Sequence, residues 1–127
     1  MQSVLGRFEP QILAIMRIAV GLLFACHGAQ KVLGLLGGMR GGTAPLFSLI
    51  WFAGVIELVG GLMIMLGIYV GYAAFISSGE MAVAYFMAHA GQAFWPIRNG
   101  GELAVVYSFV FLYLAAKGGG AWSLTRK

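Results

Sequence analysis

Apolar residues fill this chain in four long blocks, separated by short stretches rich in Gly and Pro. The first block runs from about residue 11 to 36, opened by Pro10 and closed by Gly37 and Gly38. The second, about 47 to 66, follows the stretch from Gly41 to Pro45. A very short turn, Gly67 to Gly71, leads into the third, about 69 to 90. The loop from Gly91 to Gly101 contains Pro96, which turns Trp95 away from helical geometry. The fourth block covers about 102 to 116, and Lys117 with Gly118, Gly119 and Gly120 stops it, since Gly adopts the left-handed terminal conformation freely. At 1.5 Å per residue across roughly 30 Å of hydrocarbon, these blocks are read as membrane spans. The pattern predicts an all-α membrane protein: one domain, residues 1–127, built as a bundle of four transmembrane helices.

Composition agrees. The chain is 61% hydrophobic and 9% charged, with a mean hydropathy of +0.90. Soluble domains carry about 25% charged residues, and a soluble fold of this composition would expose apolar patches and aggregate. The net charge of +4 suits anionic lipid headgroups. No basic run or basic-aromatic patch points to nucleic acid. The single cysteine, Cys26, excludes an internal disulfide and a Cys-based metal site within one chain. Arg17 interrupts the first block and Glu9 precedes it, so the N-terminus is expected to be a retained span rather than a cleaved signal.

Four spans put both termini on one side. That side carries Arg7, Lys117, Arg126 and Lys127; the other carries Arg40 and Arg98, with Lys31 near its boundary. The bias favours cytoplasmic termini, which places Trp51, Phe94 and Trp95 at the outer interface. Gly54 and Gly61 on the second span, and Ser77, Ala84 and Ala88 on the third, stand at helix-packing spacing. His27-Gly28-Ala29-Gln30 is faintly echoed by His89-Ala90-Gly91-Gln92 near the outer end of the third span.

The charges carry the candidate chemistry. The chain has no Asp, and Glu57, Glu80 and Glu102 lie inside or at the edge of apolar blocks. A carboxylate in a bilayer costs several kcal/mol unless it is paired, protonated or wetted, so such residues are functional-site candidates. His27 and Lys31 are four residues apart and share a helix face. Arg17 lies within about 80° of them on a wheel turning ~100° per residue. Depth along the spans predicts an inner group pairing Arg17 with Glu80 or Glu57. It also predicts an outer group of His27, Lys31, His89, Trp95, Asn99 and Glu102. Such a constellation suits a polar pocket in which His27 and Lys31 donate to a quinone carbonyl or an anion. Glu57 and Glu102 would accept or relay protons there. The same residues also suit interhelical ion pairs without turnover. Two histidines at similar depth permit bis-His haem ligation but form a weak signal for it. No nucleophile, dinucleotide or metal motif stands out.

Taken in order, several pieces form a pattern: Arg17 with Gly21, His27-Gly28-Ala29-Gln30-Lys31, Trp51, Ala53 to Glu57, and Gly60-Gly61. The pattern continues through Gly79 to Phe86, His89, Phe94-Trp95-Pro96, Asn99 to Glu102, and Gly118 to Leu124. In these the chain resembles the DoxX family of small four-helix bacterial membrane proteins over nearly its whole length. Thr125 stands where that family commonly has an Asp. The resemblance implies a multi-pass protein of the bacterial cytoplasmic (inner) membrane. It also implies a redox link, since the family is named for a small subunit of a quinone-linked oxidase and thiosulfate oxidation system.

These readings lead to three expectations. The first is a membrane subunit of a quinone-linked oxidoreductase system that binds a quinone headgroup or a small sulfur oxyanion. His27, Lys31, Asn99, Trp95 and His89 would bind; Glu57 and Glu102 would handle protons; Arg17 and Glu80 would balance charge. The second is a proton-coupled transporter for a small solute, assembled as a homo-oligomer. The third is a noncatalytic scaffold for a soluble redox enzyme.

Overall fold

The computed structural model describes residues 1–39 and 42–125. Arg40, Arg126 and Lys127, which enter the orientation reading, and Gly41 of the first loop lie outside the described residues. Within them, regular structure is helical, and the only extended pairing is an isolated bridge between Met39 and Gly42. A short α1 (Gln2–Leu5) and a 3-10 turn (Gly6–Phe8) lead into α2 (Glu9–Val32). Then come α3 (Leu49–Leu66), α4 (Val70–Ala88), the single turn α5 (Pro96–Asn99) and α6 (Glu102–Lys117). Helix α2 packs chiefly on α3, α4 chiefly on α6, and α3 joins the two pairs by lying along α4. Phe24 of α2 reaches α6 with its ring, 5.3 Å from Tyr107 and 4.7 Å from Phe111.

Two helical stretches, Gln2–Val32 and Leu49–Leu66, are long and apolar enough to cross a membrane. The outward faces of the other two long helices are apolar as well. Phe75, Ile76, Val83 and Phe86 of α4, and Val106, Phe109 and Leu112 of α6, are exposed on the molecule. Meanwhile Arg17, Glu57, Ser77, Ser78 and Asn99 are buried. Large apolar groups outside and polar groups inside is a distribution that water does not tolerate and lipid does.

Local chemistry sets the helix ends. Ser48 starts α3 by accepting a hydrogen bond from the Trp51 amide, 3.2 Å. Gly67 ends it with φ +76°, while Gly67 N–H donates to Ile64 O and Ile68 N–H to Met63 O. That is a Schellman arrangement, in which glycine takes the left-handed conformation without a Cβ penalty. Helix α2 ends at Val32, short of the expected residue 36. The loop folds back on it, with Ala44 N–H donating to Lys31 O and the Gln30 side chain donating to Leu36 O.

The α2–α3 seam is closed backbone to backbone. A Cβ on Gly28 would come within 2.2 Å of Leu58 N and 2.5 Å of Gly54 O; on Gly61 it would meet Ala25 N at 2.5 Å. Gly54 is therefore matched by Gly28, and Gly61 by Gly21, at the close approach that small residues permit between helices in lipid. The packing reading holds for Gly54 and Gly61 but not for Ala88, which is exposed. Gly28→Ala must push α3 away and is expected to cost more than the ~1–3 kcal/mol typical of overpacking. Thermal unfolding in detergent checks this against Gly79→Ala. At Gly79 nothing lies within 4 Å of the added methyl, so that variant should melt like wild type.

Candidate functional site

Helices α2, α3 and α4 each deliver one charged side chain to the same interior region. Lys31 occupies the last turn of α2, and its Nζ bonds Glu57 Oε1 of α3 at 2.5 Å. The carboxylate side of this pair is almost sealed, with the Glu57 side chain 2% exposed and the Lys31 side chain 24% exposed. Glu80 of α4 faces the Glu57 carboxyl across the α3–α4 seam. Both Glu80 oxygens are buried, and neither makes a well-formed hydrogen bond. His27, one turn before Lys31 and half-buried, lies within electrostatic reach of both Lys31 and Glu57. Its ring stands edge-on to Tyr107 of α6, 6.1 Å between centroids.

This cluster holds two carboxyls against one ammonium. In a low-dielectric interior the attraction between opposite charges is strong, but so is the cost of any charge left over. The arrangement can therefore bind, exchange or pass a proton. Two open apolar grooves, about 430 and 350 Å³, lie elsewhere. The larger is lined by Glu9, Ile12, Leu13, Met16, Phe109, Val110 and Tyr113, toward the opposite end of α2.

The expected grouping by depth does not survive. Arg17 pairs with neither Glu80 nor Glu57. Its guanidinium donates to Ile64 O (3.1 Å) and Met65 O (3.3 Å) at the C-terminal end of α3. It also donates to Ala121 O (3.2 Å) and Trp122 O (3.4 Å) in the tail. The Ile64 and Met65 carbonyls carry the negative end of the α3 dipole, and the two tail carbonyls add their own partial charge, so a buried cation is compensated without any carboxylate. Glu80 consequently belongs with Glu57 and Lys31, not with Arg17.

The outer group also divides. Asn99 is buried and fully engaged, donating to the Tyr85 hydroxyl and Ala93 O and accepting from Gly101 N–H at 2.8 Å. It pins the α5 turn to α4 rather than facing a pocket. His89 Nδ1 sits 3.1 Å from Asn99 O and its ring stacks on Tyr85, so it belongs to the same loop network. His27 and His89 thus have separate surroundings, His27 beside Lys31, Glu57 and Tyr107 and His89 beside Asn99 and Tyr85. Trp95 is exposed beside Phe94, as an interfacial anchor would be. Glu102 is exposed at the first turn of α6, where a carboxylate favours the helix N-terminus. Sequence reasoning missed Tyr107, whose burial on α6 opposite His27 no spacing rule marks. It also took Ser77, three residues before Glu80 on the same face, for packing alone.

A bundle with an apolar exterior and a buried cluster of ionisable groups defines a helical membrane protein. The comparisons make this specific. Residues 12–90 match the DoxX family model, and the chain belongs to the DoxX family. A relative from Haemophilus influenzae is 44% identical over 127 residues, covering 97% of this chain and 95% of its own, and is described only as an uncharacterized protein. No solved structure matches.

Proposed function

We propose that this protein is a four-span subunit of a quinone-linked oxidoreductase system in the bacterial inner membrane, and that it handles protons for that system. The observation that carries this reading is the convergence of Lys31, Glu57 and Glu80 from three helices, with both Glu80 oxygens unsatisfied. Quinone reduction takes up a proton with each electron, so a membrane site serving it needs groups that hold protons out of bulk water. His27 and Lys31, the half-exposed members of the cluster, are where a quinone headgroup or a small oxyanion would reach it. Glu57 and Glu80 then exchange the proton; Glu102 and Asn99 have no part. In this reading electrons come from a redox-enzyme partner.

The test is binding of a short-chain quinone to the purified protein in nanodiscs. His27→Ala is expected to weaken binding about tenfold, equivalent to ~1.4 kcal/mol. Glu80→Gln should leave binding near wild type but abolish the proton uptake that accompanies reduction by the partner. Unchanged binding in His27→Ala and in the charge-balanced pair Lys31→Met with Glu57→Gln would remove the assignment.

A further inference from the structure

Helices α3 and α4 run side by side so that Glu57 faces Glu80 and, one turn farther from Lys31, Gly60 faces Ser77. Ser77 is completely buried, and its Oγ has no hydrogen-bond partner. A serine inside a helix ordinarily bonds back to a carbonyl of the preceding turn, and this one does not. Gly60 supplies the other half of the observation. A Cβ there would lie 2.8 Å from Ser77 Oγ, and among the described residues no other atom of a packed helix would come within 4 Å of it. The adjacent Gly61 is different, since a Cβ there would meet Ala25 N, Gly21 O and Ala25 Cα. Gly61 is demanded by contact with the α2 backbone; Gly60 is demanded by the buried hydroxyl itself, which lies close against the α3 backbone where a Cβ would go.

We propose that Glu57, Glu80 and Ser77 form a binding site for one proton and the water molecule that carries it, in the α3–α4 seam and reached from the Lys31 end. This rests on the proton-handling reading above and adds the location, the occupant and the side of access. The charged and titratable groups facing the site are Lys31 and His27 from α2, Glu57 from α3, Glu80 from α4 and Tyr107 from α6. One ammonium against two carboxyls leaves a single negative charge, which one proton cancels. A buried water needs a polar site and two to four partners; the Ser77 hydroxyl and the Glu80 oxygens supply them. Access is one-sided. Toward the Arg17 end the interior is closed by Phe24, Ile64, Val70, Ala74 and Phe111, all buried and apolar, whereas the Lys31 side chain keeps 24% exposure.

Infrared difference spectroscopy of the full chain in nanodiscs tests this through the carbonyl stretch of a protonated carboxyl. Wild type is expected to show that band at neutral pH, shifted to lower frequency in D2O, and Glu80→Gln is expected to lose it. Ser77→Ala removes the hydroxyl, and Gly60→Ala presses a methyl against it. Either should move the band and displace its titration by about one pH unit or more while the helical circular dichroism is retained. The proposal is overturned if folded wild type shows no such band. It is equally overturned if both Ser77→Ala and Gly60→Ala leave the band and its titration unchanged, or if sodium replacing potassium abolishes it, which would assign the site to a metal cation. Quinone binding measured on the same samples separates the two proposals. A Ser77-dependent band without quinone binding keeps this site and discards the quinone link.

Discussion

Arg17→Met is expected to be among the most damaging single substitutions in the molecule, although no carboxylate loses a partner. The guanidinium joins the end of α3 to the tail through four carbonyl oxygens, two on each side. Hydrogen bonds to a charged group contribute about 1.5–3 kcal/mol each, and orphaned buried acceptors add a desolvation cost. With imperfect geometry and partial rewetting of the tail, a loss on the order of 4 kcal/mol is expected. The tail has other ties: Ala121 N–H donates to Pro10 O, Leu124 N–H to Leu66 O, and the Thr125 hydroxyl accepts from Tyr69 N–H. Thr125 also donates to Gly67 O through its N–H and its hydroxyl, but these bonds between neutral groups lie beyond the Arg17 contacts, so the stretch around Ala121 and Trp122 should become protease-sensitive before the bundle unfolds. Limited proteolysis followed by mass analysis distinguishes that order from simultaneous collapse. Arg17→Lys should sit between wild type and Arg17→Met, because an ammonium cannot span both sets of carbonyls.

Lys31→Met is expected to cost about 3–5 kcal/mol, because it strands Glu57 and Glu80 together in a sealed seam. Adding Glu57→Gln should recover most of that loss, since replacing both members of a buried pair is often nearly neutral. Glu57→Gln alone is expected to be milder than Lys31→Met, as the ammonium is partly exposed and can turn toward the interface. Thermal denaturation of the four proteins as a double-mutant cycle measures the coupling. If the double variant is as unstable as Lys31→Met, the pair is not what the lysine contributes.

The helices were legible because apolar blocks broken by Gly and Pro leave few alternatives. That opposite charges inside apolar segments must be compensated was also legible, but the Lys31–Glu57 pair itself was not, since depth set Lys31 with the outer group and Glu57 with Arg17. What misled was the assumption that a buried cation must find an anion. Backbone carbonyls at a helix end do the same work and leave no mark in a pattern of charged residues, so Arg17 was paired wrongly. Depth along a span also says nothing about azimuth. Glu102 and Trp95 reach the right level but point outward, and Asn99 and His89 turn into their own loop. Ser77 and Gly60 were invisible as a pair because each alone reads as a small packing residue.

The tail contact bears on how the chain is made. Arg17 and Ala121 are 104 positions apart. During synthesis the Ile64 and Met65 carbonyls follow the arginine by 47 and 48 positions, whereas those of Ala121 and Trp122 come much later. The second pair of carbonyls arrives only with the segment after α6, so translation of that segment is the step that locks the arginine in place.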